Sequence, residues 1–162
     1  MIILSVDSGV EKTGIAIFRK DSHIPQGFQY VYSDLIVTSK KEPIEKRLRV
    51  LHNKLLGIAR KFKPNLLLLE QLFFFKNVKT AISVAQAQGS ILLTAAKIGI
   101  PVKYLTPLQI KQSITGYGRA DKKSVQKMLK ILLKLDGQLK NDDVADAIAC
   151  GLAYCYMNKK II

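Results

Sequence analysis

At 162 residues the chain is of single-domain length, and its 48% apolar and 23% charged residues exclude a disordered polymer. No apolar run approaches the ~18–20 residues of a membrane span and the first residues form no basic, cleavable leader, so a cytoplasmic protein with no membrane partner is expected. Twenty-six Lys and Arg against twelve Asp and Glu leave a net charge of +14, which predicts a polyanionic partner, nucleic acid ahead of a lipid surface.

No repeat, low-complexity tract or linker interrupts the sequence, so residues 1–162 are expected to form one domain. Ile2 to Asp7 is a short apolar run that fits a buried strand. Thr13 to Phe18 is a second strand, with Gly9 and Gly14 bracketing the turn between them. Phe28 to Thr38 alternates and carries Tyr, Val and Ile, a third strand. Ile44, Leu48, Leu51, Leu55, Ile58 and Phe62 then recur at helical spacing behind Pro43, and the helix stops before Pro64. Asn65 to Glu70, with four consecutive leucines, reads as a central strand buried on both faces. A helix capped by Asn77 runs to Ile98, rich in Ala and Ser. Val102 to Leu105 is a fifth strand, and Leu108 to Ile114 a short helix. The loop Thr115 to Ala120 carries two glycines, an amphipathic helix covers Asp121 to Leu135, and a last helix covers Asn141 to Asn158. Three antiparallel strands followed by alternation predict an α/β fold with a mixed five-stranded sheet flanked by helices. Cys150 and Cys155 fall five apart on the last helix and read as buried, reduced thiols.

Four of the few acids stand where a solvated role does not explain them. Asp7 and Glu70 end strands after apolar runs, and Asp143 and Asp146 share one face near the start of the last helix. Each has a plain explanation in isolation: a turn cap with Ser8 and Gly9 for Asp7, a buried ion pair with a lysine for Glu70, helix capping for the Asn141 to Asp143 segment. Together they form a set of carboxylates whose convergence is unfavourable without a cation between them. Oxygen ligands without Cys or His suit Mg²⁺, with Mn²⁺ as a substitute. Two such ions about 3.5–4 Å apart can activate a water for attack on a phosphodiester and stabilise the leaving oxygen. The segment from Asp7 to Gly14 also resembles the phosphate-binding hairpin of actin-like and sugar-kinase-like ATPases, which need a second hairpin and a second domain.

The basic residues cluster between Pro107 and Lys134. Lys111, Arg119, Lys122, Lys123, Lys127, Lys130 and Lys134 face a single acid there, Asp121, with Lys123, Lys127, Lys130 and Lys134 on one helical stripe. A solvated lysine face is one reading. Phosphate contact is the other, and Arg119, Lys123 and Lys127 are its candidates beside Lys111 and Lys122. His23 and His52 lie far in sequence from the acids, and His52 is expected at the surface. No Ser-His-Asp or Cys-His set is present, so a nucleophilic hydrolase is not expected.

Taken in order, Asp7-Ser8-Gly9 with Thr13-Gly14, Glu70-Gln71-Leu72-Phe73 with Lys76-Asn77, Ala85 to Gly89, Pro107 with Lys111-Gln112, Gly116 to Gly118, Lys122, and Asp143 to Ala147 resemble the RuvC family of Holliday-junction resolvases over nearly the whole chain. The resemblance implies an RNase H-like fold of the retroviral-integrase superfamily and a homodimer. It also implies Mg²⁺-dependent, paired symmetric nicking of four-way junction DNA in recombination and repair. Asp7, Glu70, Asp143 and Asp146 match the family's catalytic, metal-binding acids. Phe73 matches an aromatic that contacts bases near the junction centre, Lys76 lies in the same DNA-facing segment, and Lys111 and Lys122 match basic residues that handle DNA. A partnership with the RuvA–RuvB branch-migration complex follows from the resemblance alone. The family commonly has Asp-Pro-Gly where this chain has Asp7-Ser8-Gly9, and Phe73-Phe74-Phe75 is more aromatic than usual. A catalytically silent nucleic-acid-binding protein and a nuclease acting on RNA or another branched substrate are the two rival functions.

Overall fold

The computed structural model describes residues 1–71, 78–135, 139 and 141–158. Its elements run β1 (Ile2–Asp7), β2 (Lys12–Lys20), β3 (Phe28–Val37), α1 (Ile44–Phe62), β4 (Leu66–Glu70), α2 (Val78–Ile98), β5 (Val102–Leu105), α3 (Pro107–Thr115), α4 (Lys122–Leu133) and α5 (Asp142–Met157). The five strands form one sheet in the order β3-β2-β1-β4-β5. The β1–β2 and β2–β3 pairs are antiparallel, whereas β4 runs parallel to β1 and β5 parallel to β4. The expected mixed sheet is therefore present, with β1 at its centre.

Alternation along the strands divides the core into two layers. Leu4, Val6, Ile15, Ile17, Leu67 and Leu69 face one side, where they pack on Leu51 and Leu55 of α1 and on Ala87, Ile91 and Ala95 of α2. Ile3, Ala16, Phe18, Leu66 and Leu68 face the other, against Ala147, Ile148 and Leu152 of α5. Covering both faces explains why β4 reads as unbroken leucine rather than as an alternating strand.

Helix α5 lies deepest, with ten of its 16 residues buried. Two glycines and one serine seat it. A Cβ on Gly151 would stand 2.5 Å from the Phe18 ring, and one on Gly14 would stand 1.8 Å from the Asp143 carbonyl oxygen. The Ser5 hydroxyl donates to the Ala147 carbonyl at 2.7 Å in a fully buried bond. This bond ties α5 to β1 and leaves neither group unsatisfied. Cys150 and Cys155 are both buried and free, and burial pushes each thiol up to about 12, as expected of inert reduced cysteines.

The helix ends follow local chemistry. Thr106 and Gln109 form a reciprocal capping box at α3, with Pro107 in its first turn and Gly116 at φ 76° closing it. Asp121 caps α4 by accepting from the Ser124 N–H, and Asn141 caps α5 by accepting from the Asp143 and Val144 N–H groups.

Two expectations are corrected. Helix α4 ends at Leu133 rather than Leu135, because Lys134 turns left-handed (φ 50°) and directs its N–H back to Lys130 and Ile131. Lys134 thus leaves the helical stripe. His52 is half-buried rather than a surface residue, with Nδ1 lying 2.7 Å from the Thr94 hydroxyl. That hydroxyl donates to the Ser90 carbonyl, so Nδ1 carries the hydrogen and the imidazole bridges α1 to α2. The expected Asn77 cap lies outside the described residues.

Candidate active site

Register brings two acids together first. Val6 pairs with Leu69 across the parallel β1–β4 ladder, so Asp7 and Glu70 leave the sheet as neighbours, one residue further on. They share strand parity with Ser5 and Leu68, which places both on the face covered by α5. On the other flank of β1, Asp7 pairs with Gly14, whose missing side chain admits the Asp143 carbonyl. The first turns of α5 are thereby set over the carboxyl edge of the sheet, with Asp143 and Asp146 one turn apart.

The electrostatics of the site follow from this placement. The Asp7 carboxyl is pushed up to about 7, foremost by burial and then by the charges of Asp146, Glu70 and Asp143. Glu70 is also raised, by burial and by Asp146, with Lys111 and Lys122 acting in the opposite direction. Lys122 supplies the local counter-charge: its ammonium lies 2.9 Å from Asp146 Oδ2 and 3.4 Å from Asp142 Oδ2. Burial works against the charge on Lys122, yet the bonds to Asp146 and Asp142 outweigh it and hold the pKa above the ordinary lysine value. Gln126 Nε2 donates to the other oxygen of Asp142, which keeps that residue turned outward.

Glu70, Asp146, Lys111 and Lys122 line a cleft of about 250 Å³ floored by Ile110, Val125 and Ala149. The donor set fits a hard divalent cation: it is all carboxylate oxygen, partly desolvated, and mutually repelling. Among the described residues no three carboxylates stand close enough around one point to form a closed cage. Drawing them together in ionised form raises the repulsion already evident at Asp7, which a divalent cation between them would offset.

The remaining expected contacts spread around this cleft. Lys111 lines it, whereas Arg119, Lys123 and Lys127 are exposed on the adjoining loop and on α4. Lys130 is half-buried, so the solvent-facing part of the stripe is shorter than its spacing implies. Phe73 and Lys76 lie outside the described residues. Three features escaped the sequence reading. Gly14 is needed for contact with α5 and not only for a turn. Lys122 is bound into the acid cluster. A second hollow, lined by Lys12, Lys40, Arg47 and Asp143, opens on the far side of the acids.

The family model for RuvC, crossover junction endodeoxyribonuclease, matches residues 3–155. Crossover junction endodeoxyribonuclease RuvC of Petrotoga mobilis is 42% identical over 158 residues, covering 98% of this chain and 94% of its own. The protein of the same name from Halothermothrix orenii is 43% identical over 157 residues, covering 95% and 92%. Among solved structures, Thermus thermophilus RuvC in complex with a Holliday junction substrate superposes with a TM-score of 0.87 at 27% identity, over 97% of this chain and 94% of that one.

Proposed function

This chain belongs to the RuvC family, and on that footing we propose that it is a crossover junction endodeoxyribonuclease that resolves four-way junctions by paired symmetric nicks in recombination and repair. The observation that carries the reading is the convergence of Asp7, Glu70, Asp143 and Asp146 on the carboxyl edge of an RNase H-like sheet, where burial first, and then the three neighbouring carboxylates, raise Asp7 to about 7. Acids forced together at such a cost on so basic a chain match a metal-dependent attack on a polyanion.

The four acids are the catalytic, metal-holding residues, and the metal is Mg²⁺, two ions per site, with Mn²⁺ able to replace it. A bound divalent cation supplies the Lewis acidity that activates water and stabilises the leaving oxygen of a phosphodiester. The chain's own residues do the rest. Asp7 and Glu70 hold fixed positions because their strands are hydrogen-bonded neighbours, while Asp143 and Asp146 are carried on a helix seated by Ser5, Gly14 and Gly151. Lys111 and Lys122 draw a phosphate into the cleft. Lys122, paired with Asp146 at 2.9 Å, would stand beside a cation held by that carboxylate and meet the phosphate there. Arg119, Lys123 and Lys127, with Phe73 and Lys76, extend the contact along the DNA.

The two-fold substrate calls for a homodimer, and α2 offers the surface. Ala87 and Ala95 pack inward on the sheet, whereas Ile82, Ala85, Gly89, Leu93 and Ala96 form an exposed stripe, with Ile82 59% and Leu93 55% accessible. No described helix is long and apolar enough to cross a membrane. A one-domain enzyme working in the cytoplasm, beside the RuvA–RuvB branch-migration complex, completes the proposal.

Labelled four-way junction, linear duplex and RNA–DNA hybrid, each with Mg²⁺, Mn²⁺ or EDTA, test it. Cleavage of the junction alone, abolished by EDTA, is expected. A bound but uncut junction would make the chain a binding module, and preferential cutting of the hybrid would keep the metal site and change the substrate.

A further inference from the structure

The hollow on the far side of the acids has no part in the expected DNA contacts, all of which lie on the Lys111–Lys122 side or in the segment that follows Glu70. It measures about 420 Å³ and lies between the β1–β2 turn, the start of α1 and α2, with Asp143 at its inner end. Three cations and Glu11 line it: Lys12 opens β2, Lys40 precedes α1, and Arg47 lies near the start of α1.

Arg47 is the built element of this group. It is half-buried, and its Nε donates at 3.0 Å to the hydroxyl of the buried Thr38, which in turn donates to the Val10 carbonyl. With Nε so fixed, the guanidinium is anchored beside the hollow it lines, and its two terminal nitrogens carry no part of that bond and keep their donors for a phosphate. Lys40 is paired with Glu11 at 2.8 Å, but the side chains are 73% and 42% accessible, and such an exposed pair yields readily to a stronger anion. Glu11 itself is held below the usual carboxylate range, first by its bond to Lys40 and further by the charges of Lys12 and Arg47. A single anionic group at this spot therefore already feels all three cations.

Asp143 lines this hollow while Asp146, one turn on, lines the cleft with Lys111 and Lys122. The acids thus form a ridge with cations in the recess on either side, Lys111 and Lys122 in one and Lys12, Lys40 and Arg47, beside Glu11, in the other. A nucleic-acid strand laid across the ridge is repelled at the acids and needs anchoring both before and after them.

We propose that the hollow of Lys12, Lys40 and Arg47 is a second backbone subsite, which grips a DNA phosphate on the side of the scissile bond opposite Lys111 and Lys122. The proposal rests on the resolvase reading and adds to it a set of positioning contacts that read no sequence. Arg47 is the anchor, and Lys12 and Lys40 close around the same phosphate run.

The test uses the full chain and a four-way junction. Binding is followed by fluorescence anisotropy in EDTA over a range of salt, and cleavage in Mg²⁺. Arg47→Ala and the double variant Lys12→Ala/Lys40→Ala are compared with Lys54→Ala/Arg60→Ala, a control that removes two exposed cations from the outer part of α1. The Lys12/Lys40 pair is included because its removal breaks no buried hydrogen bond. Each groove variant should weaken junction binding about tenfold and flatten the log–log salt dependence by roughly 1 for every phosphate left without its cation. The loss should be equal for junctions of different sequence and should fall on KM more than on kcat, and Arg47→Lys should restore the salt slope. The control should leave the slope unchanged. Groove variants that bind like the control while Lys111→Ala loses affinity would overturn the subsite and leave the resolvase reading standing. A wild-type chain that neither prefers nor cuts the junction would overturn both.

Discussion

Asp7 is held under opposing demands, and its titration exposes them. An aspartate ordinarily titrates near 3.8, but in the folded chain Asp7 is pushed up to about 7, chiefly by burial. A folded-state pKa above the unfolded one means that folding favours the proton. Stability is therefore unaffected below about pH 4, declines as pH rises through 4 to 7, and stays lower above that by up to about 4 kcal/mol. Asp7→Asn removes this penalty while removing a proposed metal ligand. The metal-free variant should melt several degrees above wild type at pH 8, with the gap closing below pH 4, and Mg²⁺ should narrow the gap by stabilising only the wild type. Cleavage should fall by at least about a thousandfold, the order expected when a group on which the chemistry depends is removed. Equal melting temperatures at pH 8 would show that burial and the neighbouring carboxylates do not penalise an ionised Asp7 as described. At this scale the sequence marked the acids that the fold brings together, since each breaks an apolar run or shares a helix face. It was silent on Lys122, because nothing local shows that a lysine at the start of α4 turns back to Asp142 and Asp146 of another helix.

At the scale of elements, α5 is the part on which the site depends. Its limits were readable because Asn141 caps it and its apolar run has no polar face. Its seating was not readable, because Gly14 and Gly151 act through contacts with residues more than a hundred positions away. Gly151→Ala places a methyl against the Phe18 ring, which a small ring shift can partly absorb, and should cost about 1–3 kcal/mol by thermal or chemical denaturation. Gly14→Ala meets the Asp143 backbone instead, which cannot step aside without moving the start of α5. Its loss of cleavage should exceed its loss of stability, and a variant that stays fully active would contradict the role given to this contact. Helix α2 makes a separate prediction. Leu93 is 55% accessible on the stripe proposed for the dimer. Leu93→Glu should leave the melting of the monomer unit nearly unchanged while converting the protein to a monomer by light scattering; persistence of the dimer would place the interface elsewhere. The early end of α4 shows the limit of periodicity, since the apolar spacing continues to Leu135 and only the left-handed turn at Lys134 ends the helix.

For the molecule as a whole, the order of elements could be read because each strand and helix carries its own signal: runs of β-branched and leucine residues, 3.6-residue spacing, caps and breakers. The spatial order β3-β2-β1-β4-β5 is not written locally, and it is this order that sets Asp7 beside Glu70. The hollow of Lys12, Lys40 and Arg47 was missed for the same reason, since its three cations come from two elements and a loop that the sequence spaces apart. The charge of +14 acquires a distribution at the site once folded: Asp7, Glu70, Asp143 and Asp146 on one ridge, cations on both sides of it. Such an arrangement should hold a DNA backbone across a metal-dependent centre, and two copies should do so twice on one junction. The most direct test is to label each strand of a four-way junction in turn, incubate with the wild-type chain and Mg²⁺, map every nick, and treat the products with DNA ligase. The account predicts nicks at matching positions in two opposing strands, with ends that ligate, and none with Asp7→Asn. Nicks scattered over all four strands, or equal nicking of linear duplex, would contradict it.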